Sequence, residues 1–290
     1  MPRAFKKIAI VCRPSTGHIK ETLRTLIKFL QDKPQYTVIL EAETANIIKQ
    51  SSGLIKPASL LGQYAEVIVV VGGDGSLLYG ANIAVKQKLP VIGINRGYVG
   101  FLSDIHPDTM DVLAAVLSGN YLMERRSLLS VKIIQGQKTV YHDSCLNEAV
   151  MLPFNQAHMI NYEIYIDGRS ICQQRADGLL VATPTGSTAY ALSAGGPIIH
   201  PQLKAILLIP MFPHTLSSRP LVLDDTSKIT VKVIGNSSSV IAINCDGKEP
   251  AILPNHASLH IQKHSTFLKL LHPTSYNYFA TLREKLAWHR

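Results

Sequence analysis

The sequence predicts two domains, an α/β domain with an open, mostly parallel sheet and a β-rich domain that follows it. Hydrophobic residues make up 46% of the 290 residues and charged residues 17%, which is enough apolar material for two ordinary cores. Strand and helix patterns alternate up to about residue 125, and strand patterns with turn dipeptides follow. We therefore predict an α/β domain over 1–125, a β-rich domain over 126–270, and a C-terminal segment over 271–290 that is helical and packs back on the first domain.

The first domain is predicted from β-branched runs that are separated by helical spacing. The strand-like runs are "KKIAIVC" (6–12), "YTVILE" (36–41), "EVIVVV" (66–71) and "PVIGIN" (90–95). Helical patterns occupy "HIKETLRTLIKFLQD" (18–32), "LLYGANIAVKQ" (77–87) and "HPDTMDVLAAVLSGNY" (106–121). This alternation builds βαβ units, and the run at 66–71 has the fully apolar character of a strand buried on both faces. The pattern predicts a Rossmann-like open sheet.

The second domain is predicted from strand-like runs and tight-turn dipeptides. The runs are "LLSVKII" (128–134), "NYEIYIDGRSI" (161–171), "KITVKVIG" (228–235), "SVIAINCDGKEP" (239–250), "SLHIQKH" (258–264) and "FLKLLH" (267–272). The dipeptides Asp167-Gly168 and Asp246-Gly247 suit hairpin turns that need positive φ angles. We expect a β-sandwich-like domain, followed by a helix over "YNYFATLREKLAW" (276–288).

The charge of the chain favours anionic partners, since its formal net charge is +9. The basic residues occur singly or in pairs, such as Lys6-Lys7, and not in the long clusters typical of a nucleic-acid interface. We expect small phosphorylated ligands and no nucleic acid.

Cysteine usage and hydropathy bear on the compartment. Cys12, Cys145, Cys172 and Cys245 are far apart and form no CxxC pair, so we expect reduced core thiols. No stretch approaches the roughly 18 to 20 apolar residues of a membrane span. The apolar run near the N-terminus is too short for a signal peptide. The expected protein is cytoplasmic and makes no membrane contact.

The motif "GGDGS" follows the apolar run at 66–71 directly and suggests a phosphate site. Gly72, Gly73 and Gly75 allow phosphate oxygens to approach the main chain, and the next helix directs its positive end to the same sheet edge. Asp74 repels phosphate unless it binds a metal or accepts a proton from an attacking hydroxyl, and phosphoryl transfer needs both. The alternative is a turn aspartate that bonds only to its own backbone.

The motif "LNEAVM" (146–151) places an amide and a carboxylate inside an apolar run. Asn147 and Glu148 cost free energy there unless they find polar partners. An amide beside a carboxylate suits the vicinal hydroxyls of a ribose, because the carboxylate accepts and the amide both donates and accepts. The alternative is that the pair begins a loop.

A long polar block, "RADGLLVATPTGSTAYALSAGGPI" (175–198), combines hydroxyls, glycines and one aromatic ring. It contains no GxSxG motif, so a hydrolase nucleophile is disfavoured. A hydroxyl-rich loop that enters a helix at Ser187 or Thr188 fits nucleotide binding better. Arg175 and Asp177 form either part of that site or an ordinary ion pair.

A proline-rich stretch and the spacing of the histidines and cysteines disfavour a catalytic histidine and a zinc site. The stretch "LIPMFPHTLSSRPLVL" (208–223) has the prolines of a rigid connection, and its His214 suits a structural role. The histidines and cysteines show no zinc-ligand spacing, so we expect no metal site made by the protein itself. A divalent cation such as Mg²⁺ would enter together with a nucleoside triphosphate.

In this order and spacing, "GGDGS", "LNEAV", the 175–198 block and "MFPHTLSSRPL" resemble the bacterial NAD kinases over nearly the whole chain. The glycine-aspartate turn alone is weak, because lipid kinases and phosphofructokinases carry similar turns, whereas "TPTGSTAY" is highly specific. The resemblance implies an α/β domain followed by a β-rich domain and a homo-oligomer, either dimer or tetramer. It also implies Mg²⁺-dependent transfer of the γ-phosphoryl group of ATP to the 2′-hydroxyl of the adenosine ribose of NAD.

The resemblance also implies roles for individual residues. Asp74 matches the proton acceptor, and Gly75 lies beside it at the phosphates. The positions that match nucleotide-binding residues are Gly72, Gly73, Asn147, Glu148, His158, Arg175, Asp177, Thr188, Ala189, Tyr190, Ala191, Leu192, Ser193 and Asp246. Lys248 follows a turn that varies within the family.

Two alternatives differ from this reading. A lipid kinase of the diacylglycerol type shares the glycine-aspartate turn but commonly lacks "TPTGSTAY". In a non-catalytic NAD-binding regulator, Asp74 would be only a turn residue.

Overall fold

The computed structural model describes residues 3–13, 19–95, 100–154, 158–235 and 240–288. The chain divides into two compact units, of which the first is Met1–Arg125 with Leu268–Arg290 and the second is Arg126–Phe267. Across the described residues, no helix has the length and apolar character to cross a bilayer.

The strands and helices alternate in the first part of the chain, and strands dominate the second. The strands are β1 (Lys7–Val11), β2 (Thr37–Glu41), β3 (Leu54–Lys56), β4 (Val67–Val71), β5 (Val91–Ile94), β6 (Tyr121–Gln135), β7 (Lys138–Cys145), β8 (Glu148–Pro153), β9 (Ile160–Ile166), β10 (Arg169–Ala182), β11 (Ala205–Pro213), β12 (Leu221–Asp224), β13 (Ile229–Val233), β14 (Ile241–Cys245), β15 (Ala251–Leu253) and β16 (Ala257–Pro273). The helices are α1 (Ile19–Gln31), α2 (Ala42–Ile48), α3 (Leu61–Tyr64), α4 (Asp74–Gln87), α5 (Met110–Leu117), α6 (Tyr190–Ser193) and α7 (Tyr278–Leu286). Single 3₁₀ turns lie at Ala58–Leu60 and Thr185–Thr188.

The first unit is built on a parallel sheet of order β3-β2-β1-β4-β5, with the last part of β16 beside β5. All five residues of β4 are fully buried, as a strand covered on both faces requires. Leu270 and Leu271 of β16 pair in parallel with Val91 and Ile92 of β5. The C-terminal residues of the chain therefore complete the sheet of the N-terminal unit.

Helix α4 begins at Asp74, three residues before the predicted start at residue 77. The glycines on either side of Asp74 lower helix propensity, which hides this first turn from a pattern search. A Cβ on Gly80 would lie 2.2 Å from Cγ2 of Val70, so the helix packs directly against β4. This packing fixes the helix start relative to the end of β4.

The second unit is an antiparallel arrangement of order β15-β14-β8-β10-β9-β13, with β13 paired to the first part of β16. Strand β10 pairs with β8 and β9 on one edge and with β11 on the other. Leu179 and Val181 of β10 enter the main core, whereas Leu180 and Ala182 enter a smaller core on the opposite face. The predicted fold class, an α/β part followed by a β-rich part, is confirmed.

Two local predictions have different outcomes. Asp167-Gly168 and Asp246-Gly247 adopt the predicted turn conformation, with φ angles of 51° and 80° and of 53° and 68°. The stretch 208–223, predicted as a rigid connection, is instead mostly the hairpin of β11 and β12. The residues of β11 from Ala205 to Met211 are all buried, with apolar side chains that enter the two cores in turn, and this burial outweighs the effect of the prolines. Pro210 lies in the strand opposite Leu179.

Candidate active site

The chain leaves β4 through a glycine whose backbone no other residue adopts easily. Gly72 has a φ angle of 138°, and a Cβ there would lie 2.3 Å from Oγ of Ser76. Its amide donates to the carbonyl of Ile94 at 2.9 Å, which ties the turn to β5. An ideal Cβ on Gly73 or on Gly75 would meet no atom within 4 Å. The open side of this turn is therefore bare backbone, next to the helix amides that lack intrahelical partners.

Asp74 is the first residue of α4, and its half-buried carboxylate is held by main-chain amides. The amide of Phe101 donates to Oδ2 at 3.0 Å, and the amide of Leu102 donates to Oδ1 at 3.1 Å. A Cβ on Gly100 would lie 2.2 Å from Oδ1, so this position admits only glycine while the carboxylate keeps its place. Each carboxylate oxygen retains capacity for a further hydrogen bond.

In the second unit, Asp246 organises the backbone of the "LNEAV" motif. Its Oδ2 accepts from the amide of Leu146 at 2.6 Å, and its Oδ1 accepts from the amides of Asn147 at 2.8 Å and Glu148 at 3.1 Å. The positive φ angles of Asp246 and Gly247 turn the carboxylate back toward β8. Asp246 therefore fixes the backbone from which the side chains of Asn147 and Glu148 project.

Glu148 lies at the start of β8 and is buried beside Asp246. Burial, and then the negative charge of Asp246, raises the pKa of Glu148 to about 8, although the amide of Tyr190 donates to the carboxylate. Within the described part of the chain, Oε2 has no hydrogen-bond partner. A carboxyl group near its pKa, with one unpartnered oxygen, is suited to bind a ligand hydroxyl.

The loop after β10 packs against the same motif. Oγ1 of Thr183 donates to the carbonyl of Leu146 at 2.5 Å, and the amide of Thr183 donates to the carbonyl of Asn147 at 2.9 Å. A Cβ on Gly186 would lie 2.2 Å from the carbonyl oxygen of Asn147. The close contact explains the glycine in "PTGST" and places this loop beside Asn147 and Glu148.

The hydroxyl-rich block forms a 3₁₀ turn at Thr185–Thr188 and then the short helix α6, which begins at Tyr190. The predicted helix start at Ser187 or Thr188 is therefore replaced by the 3₁₀ turn. Oγ of Ser187 donates to the carbonyl of Pro184 at 2.6 Å and accepts from the amide of Ile199 at 2.9 Å. Ala191 is buried in the smaller core, while the Tyr190 side chain is 43% exposed. The core thus anchors the helix and leaves the tyrosine ring accessible.

The remaining predicted residues differ in their surroundings. His158, just before β9, and Arg175 and Asp177, two residues apart on β10, are exposed. Nζ of Lys248 lies 2.9 Å from Oδ2 of Asp143 and 2.7 Å from the carbonyl oxygen of Ser144. The ammonium group of Lys248 therefore forms an ion pair with Asp143 and donates a hydrogen bond to Ser144.

The predicted residues are divided between the two units. Gly72, Gly73, Asp74 and Gly75 belong to the first unit, and all the others belong to the second. Within the second unit, hydrogen bonds bring together the "LNEAV" backbone, Asp246 and the amide of Tyr190.

The sequence analysis missed the amide donors of Phe101 and Leu102 and the supporting Gly100. A signal for them exists, because neighbouring parallel strands end at the same sheet edge. The segment after β5 must therefore meet the turn after β4, and Gly100 in "GFLSD" marks a close approach.

Among the described residues, no group of three or more histidine, cysteine, aspartate or glutamate side chains forms a metal site.

Comparison with sequence families places both units. The family described as "ATP-NAD kinase N-terminal domain" matches residues 8–121, and "ATP-NAD kinase C-terminal domain" matches residues 146–272. An NAD kinase of Ectopseudomonas mendocina is 43% identical over 98% of this chain and 96% of the relative. One from Coxiella burnetii is 45% identical over 99% of this chain and 96% of the relative.

Two solved structures share the fold. A yeast NADH kinase in complex with NADH matches 99% of this chain and 89% of its own, with a TM-score of 0.89 and 27% identity. An NAD kinase from Archaeoglobus fulgidus in complex with ATP matches 96% of this chain and 99% of its own, with a TM-score of 0.71 and 27% identity. With its two matching domains and its full-length relatives, the chain belongs to the NAD kinase family.

Proposed function

We propose that Asp74 is the proton acceptor in the reaction of this NAD kinase, which phosphorylates NAD to NADP with ATP. The observation that supports this role most directly is the carboxylate of Asp74, held by the amides of Phe101 and Leu102 in the first turn of α4. Family membership sets aside the lipid kinase and the non-catalytic regulator.

The proposed step is an in-line displacement at the γ-phosphorus of ATP. The 2′-oxygen of the adenosine ribose forms a bond to phosphorus, the bond to the β,γ-bridging oxygen breaks, and ADP leaves. The proton of the hydroxyl moves to Asp74, whose oxygens keep free lone pairs beside the two amide bonds. General-base assistance of this kind is worth about 10²- to 10⁴-fold, or roughly 3 to 5 kcal/mol. Positioning and charge neutralisation supply the rest of the rate.

The bare backbone around Asp74 suits the phosphates. Gly73 and Gly75 leave space where a side chain would stand, and the N-terminus of α4 adds the main-chain amides of a first helical turn and a positive dipole end. We propose that Mg²⁺ enters bound to the phosphates of ATP and neutralises charge that Asp74 would otherwise repel. We assign no side chain of the chain as its ligand.

The second unit supplies the proposed nucleotide contacts. Among the described residues, Glu148 has an unpartnered buried oxygen, and Asn147 precedes it on the same ordered backbone, so the two suit ribose hydroxyls. The exposed Tyr190 ring offers a stacking surface for a base. We propose an indirect role for Asp246, since its carboxylate binds main-chain amides and thereby positions Asn147 and Glu148.

The test is the Asp74→Asn variant, which keeps the size of the side chain but removes the proton acceptor. We expect NAD affinity, measured by isothermal titration, to stay near the wild-type value while kcat falls by about 10²-fold or more. Asp108→Asn is the matched control, because Asp108 lies in the same unit with 87% of its side chain exposed. The assay measures kcat by coupling NADP formation to a dehydrogenase. A wild-type kcat for Asp74→Asn would contradict the role of Asp74 as proton acceptor.

We also propose that the protein is a cytoplasmic homo-oligomer, either dimer or tetramer, as the family resemblance implies. Light scattering of the purified chain tests this: a monomer at assay concentration would contradict it.

A further inference from the structure

A buried histidine in the first unit lies between two carboxylates. Nδ1 of His272 is 2.8 Å from Oδ2 of Asp104, and Nε2 is 3.5 Å from Oε2 of Glu124. The His272 side chain is 1% exposed, and those of Asp104 and Glu124 are 10% and 13% exposed. The imidazole ring stacks on Tyr276, with 3.8 Å between ring centroids. Both ring nitrogens thus face acceptors, and only the imidazolium has a proton on each.

The partner of His272 belongs to the segment that holds Asp74. Residues 100–105 leave the end of β5, donate the amides of Phe101 and Leu102 to Asp74, and then present Asp104 to His272. The amide of Gly100 donates to the carbonyl of Ser103 at 2.9 Å, which closes the segment into a compact turn. Only Ser103 therefore separates Leu102, whose amide binds Asp74, from Asp104, whose carboxylate binds His272.

The other end of the segment is held by β5. The amide of Asn95 donates to the carbonyl of Ile105 at 2.8 Å, and the amide of Ile105 donates to the carbonyl of Gly93 at 3.3 Å. These bonds fix the end at Ile105, and the His272 contact fixes the neighbouring residue from the side of β16. The position of the two amides on Asp74 depends on both attachments.

We propose that protonated His272 is a positioning residue for catalysis, which anchors Asp104 and thereby holds the 100–105 segment, with its two amides, against the carboxylate of Asp74. This inference rests on the proposed role of Asp74 as proton acceptor. His272 touches no reacting atom. Its effect is on the orientation of the carboxylate, and misplacement of a catalytic group by about 1 Å can cost on the order of 100-fold in rate.

The protonation state of His272 follows from its neighbours. Burial disfavours the charged ring, but the hydrogen bond to Asp104 and the negative charges of Asp104 and Glu124 outweigh burial and raise the pKa of His272 above its usual value. Of the residues in the described ranges, these carboxylates on the 100–105 segment and on β6, with the stacked Tyr276 after β16, are the titratable groups that face the ring. As pH rises through that pKa, the ring loses one donor and its charge, so the anchor on Asp104 weakens.

Three variants test the proposal in the purified full-length enzyme. His272→Leu removes both donors, and we expect kcat to fall about 10- to 100-fold with KM values for NAD and ATP near wild type. His272→Asn keeps a donor toward Asp104, and we expect it to restore most of kcat. Glu124→Gln leaves the His272 ring in place but removes one negative charge beside it, which lowers the pKa of His272. We therefore expect the fall of kcat at alkaline pH to move to lower pH.

The matched control is His106→Asn. His106 forms a histidine–carboxylate pair with Asp108 in the same unit, at 3.3 Å, but with side chains 51% and 87% exposed. We expect wild-type kcat and pH dependence for this control.

The outcomes separate the two proposals. If Asp74→Asn keeps turnover, the role of Asp74 is wrong and this inference falls with it. If Asp74→Asn is inactive while folded His272→Leu has wild-type kcat, or while Glu124→Gln leaves the alkaline limb in place, only the role of His272 is overturned. If His272 were purely structural, its substitution would lower the melting temperature, and the pH profile of kcat would not move. If His272→Leu does not fold, the Glu124→Gln variant provides the test.

Discussion

The carboxylate of Asp246 accepts a hydrogen bond from the amide of Asn147 at 2.8 Å, across 99 residues of sequence. The same carboxylate also binds the amides of Leu146 and Glu148. Three amide donors on one side chain make Asp246 the organiser of the strand start from which Asn147 and Glu148 project. A residue matched by resemblance to nucleotide binding therefore contributes through the backbone of its neighbours.

We predict that Asp246→Asn lowers the free energy of unfolding by about 2 to 3 kcal/mol, because an amide group cannot accept all three bonds and turns a donor toward buried donors. KM for NAD should rise as well, since Asn147 and Glu148 lose their fixed direction. Urea denaturation and steady-state kinetics measure the two effects.

Asp167→Asn is the control for this prediction. Asp167 occupies the equivalent place in the other Asp-Gly turn, with a φ angle of 51°, but among the described residues its carboxylate accepts a single amide, that of Lys228, at an exposed site. We expect a change within about 0.5 kcal/mol. Equal losses for both variants would contradict the role given to Asp246.

Stability should depend on pH through Glu148. Burial and the charge of Asp246 raise the pKa of Glu148 from 4.5 to about 8 in the folded protein. Between these values the unfolded chain releases a proton that the folded chain retains, so this group's contribution to stability is complete below pH 4.5 and is lost as pH rises through about 8. Each pH unit in that window corresponds to about 1.4 kcal/mol at most.

The Glu148→Gln variant tests this dependence. We expect its free energy of unfolding to decline less than that of the wild type between pH 5 and 9, whereas Glu249→Gln, which changes an exposed glutamate of the same unit, should follow the wild type. Parallel curves for Glu148→Gln and wild type would show that the carboxyl group is ionised throughout. Denaturant titrations at a series of pH values give the curves.

The glycines around Asp74 should respond differently to alanine. Gly72→Ala forces a side chain into a φ angle of 138° and onto Ser76, so we expect a loss of about 2 kcal/mol or more. Gly75→Ala meets open space inside α4 and should keep or raise stability by up to about 1 kcal/mol. If phosphates approach this backbone, Gly75→Ala nevertheless raises KM for ATP. An unchanged KM would place the phosphates elsewhere.

Gly100→Ala should separate turnover from nucleotide binding. The new methyl group would lie 2.2 Å from Oδ1 of Asp74 and 2.7 Å from Oγ of Ser103, so the carboxylate must move. We expect kcat to fall by about tenfold or more while the affinity for NAD persists. Gly136→Ala changes a glycine in the β6–β7 turn that meets no atom within 4 Å, and it should leave kcat unchanged.

Local patterns in the sequence were sufficient to predict most of the fold. The apolar run at β4 and the helical spacing of α1 appear in the structure within a residue or two of their predicted ends. The short elements α2 and β3 were not predicted, because seven and three residues are too few to display a period. The start of α4 was missed because the glycines on either side of Asp74 resemble a turn.

The candidate site was predictable only where its residues lie together in sequence. "GGDGS" and "LNEAV" show their unusual composition locally, so Asp74, Asn147 and Glu148 could be selected. The contact of Asp246 with the strand start spans 98 to 100 residues, and that of His272 with Asp104 spans 168. Such pairings depend on strand order, which a single sequence does not reveal.

Strand β16 carries a consequence for synthesis of the protein. A growing polypeptide releases residues 1–125 from the ribosome long before it makes Leu270, Leu271 and His272, so the sheet of the first unit stays without this strand until the whole second unit has been made. A chain that terminates early would lack both that edge and the imidazole beside Asp104. Assembly of the catalytic apparatus in the first unit therefore waits for a segment that the ribosome makes only after the second unit.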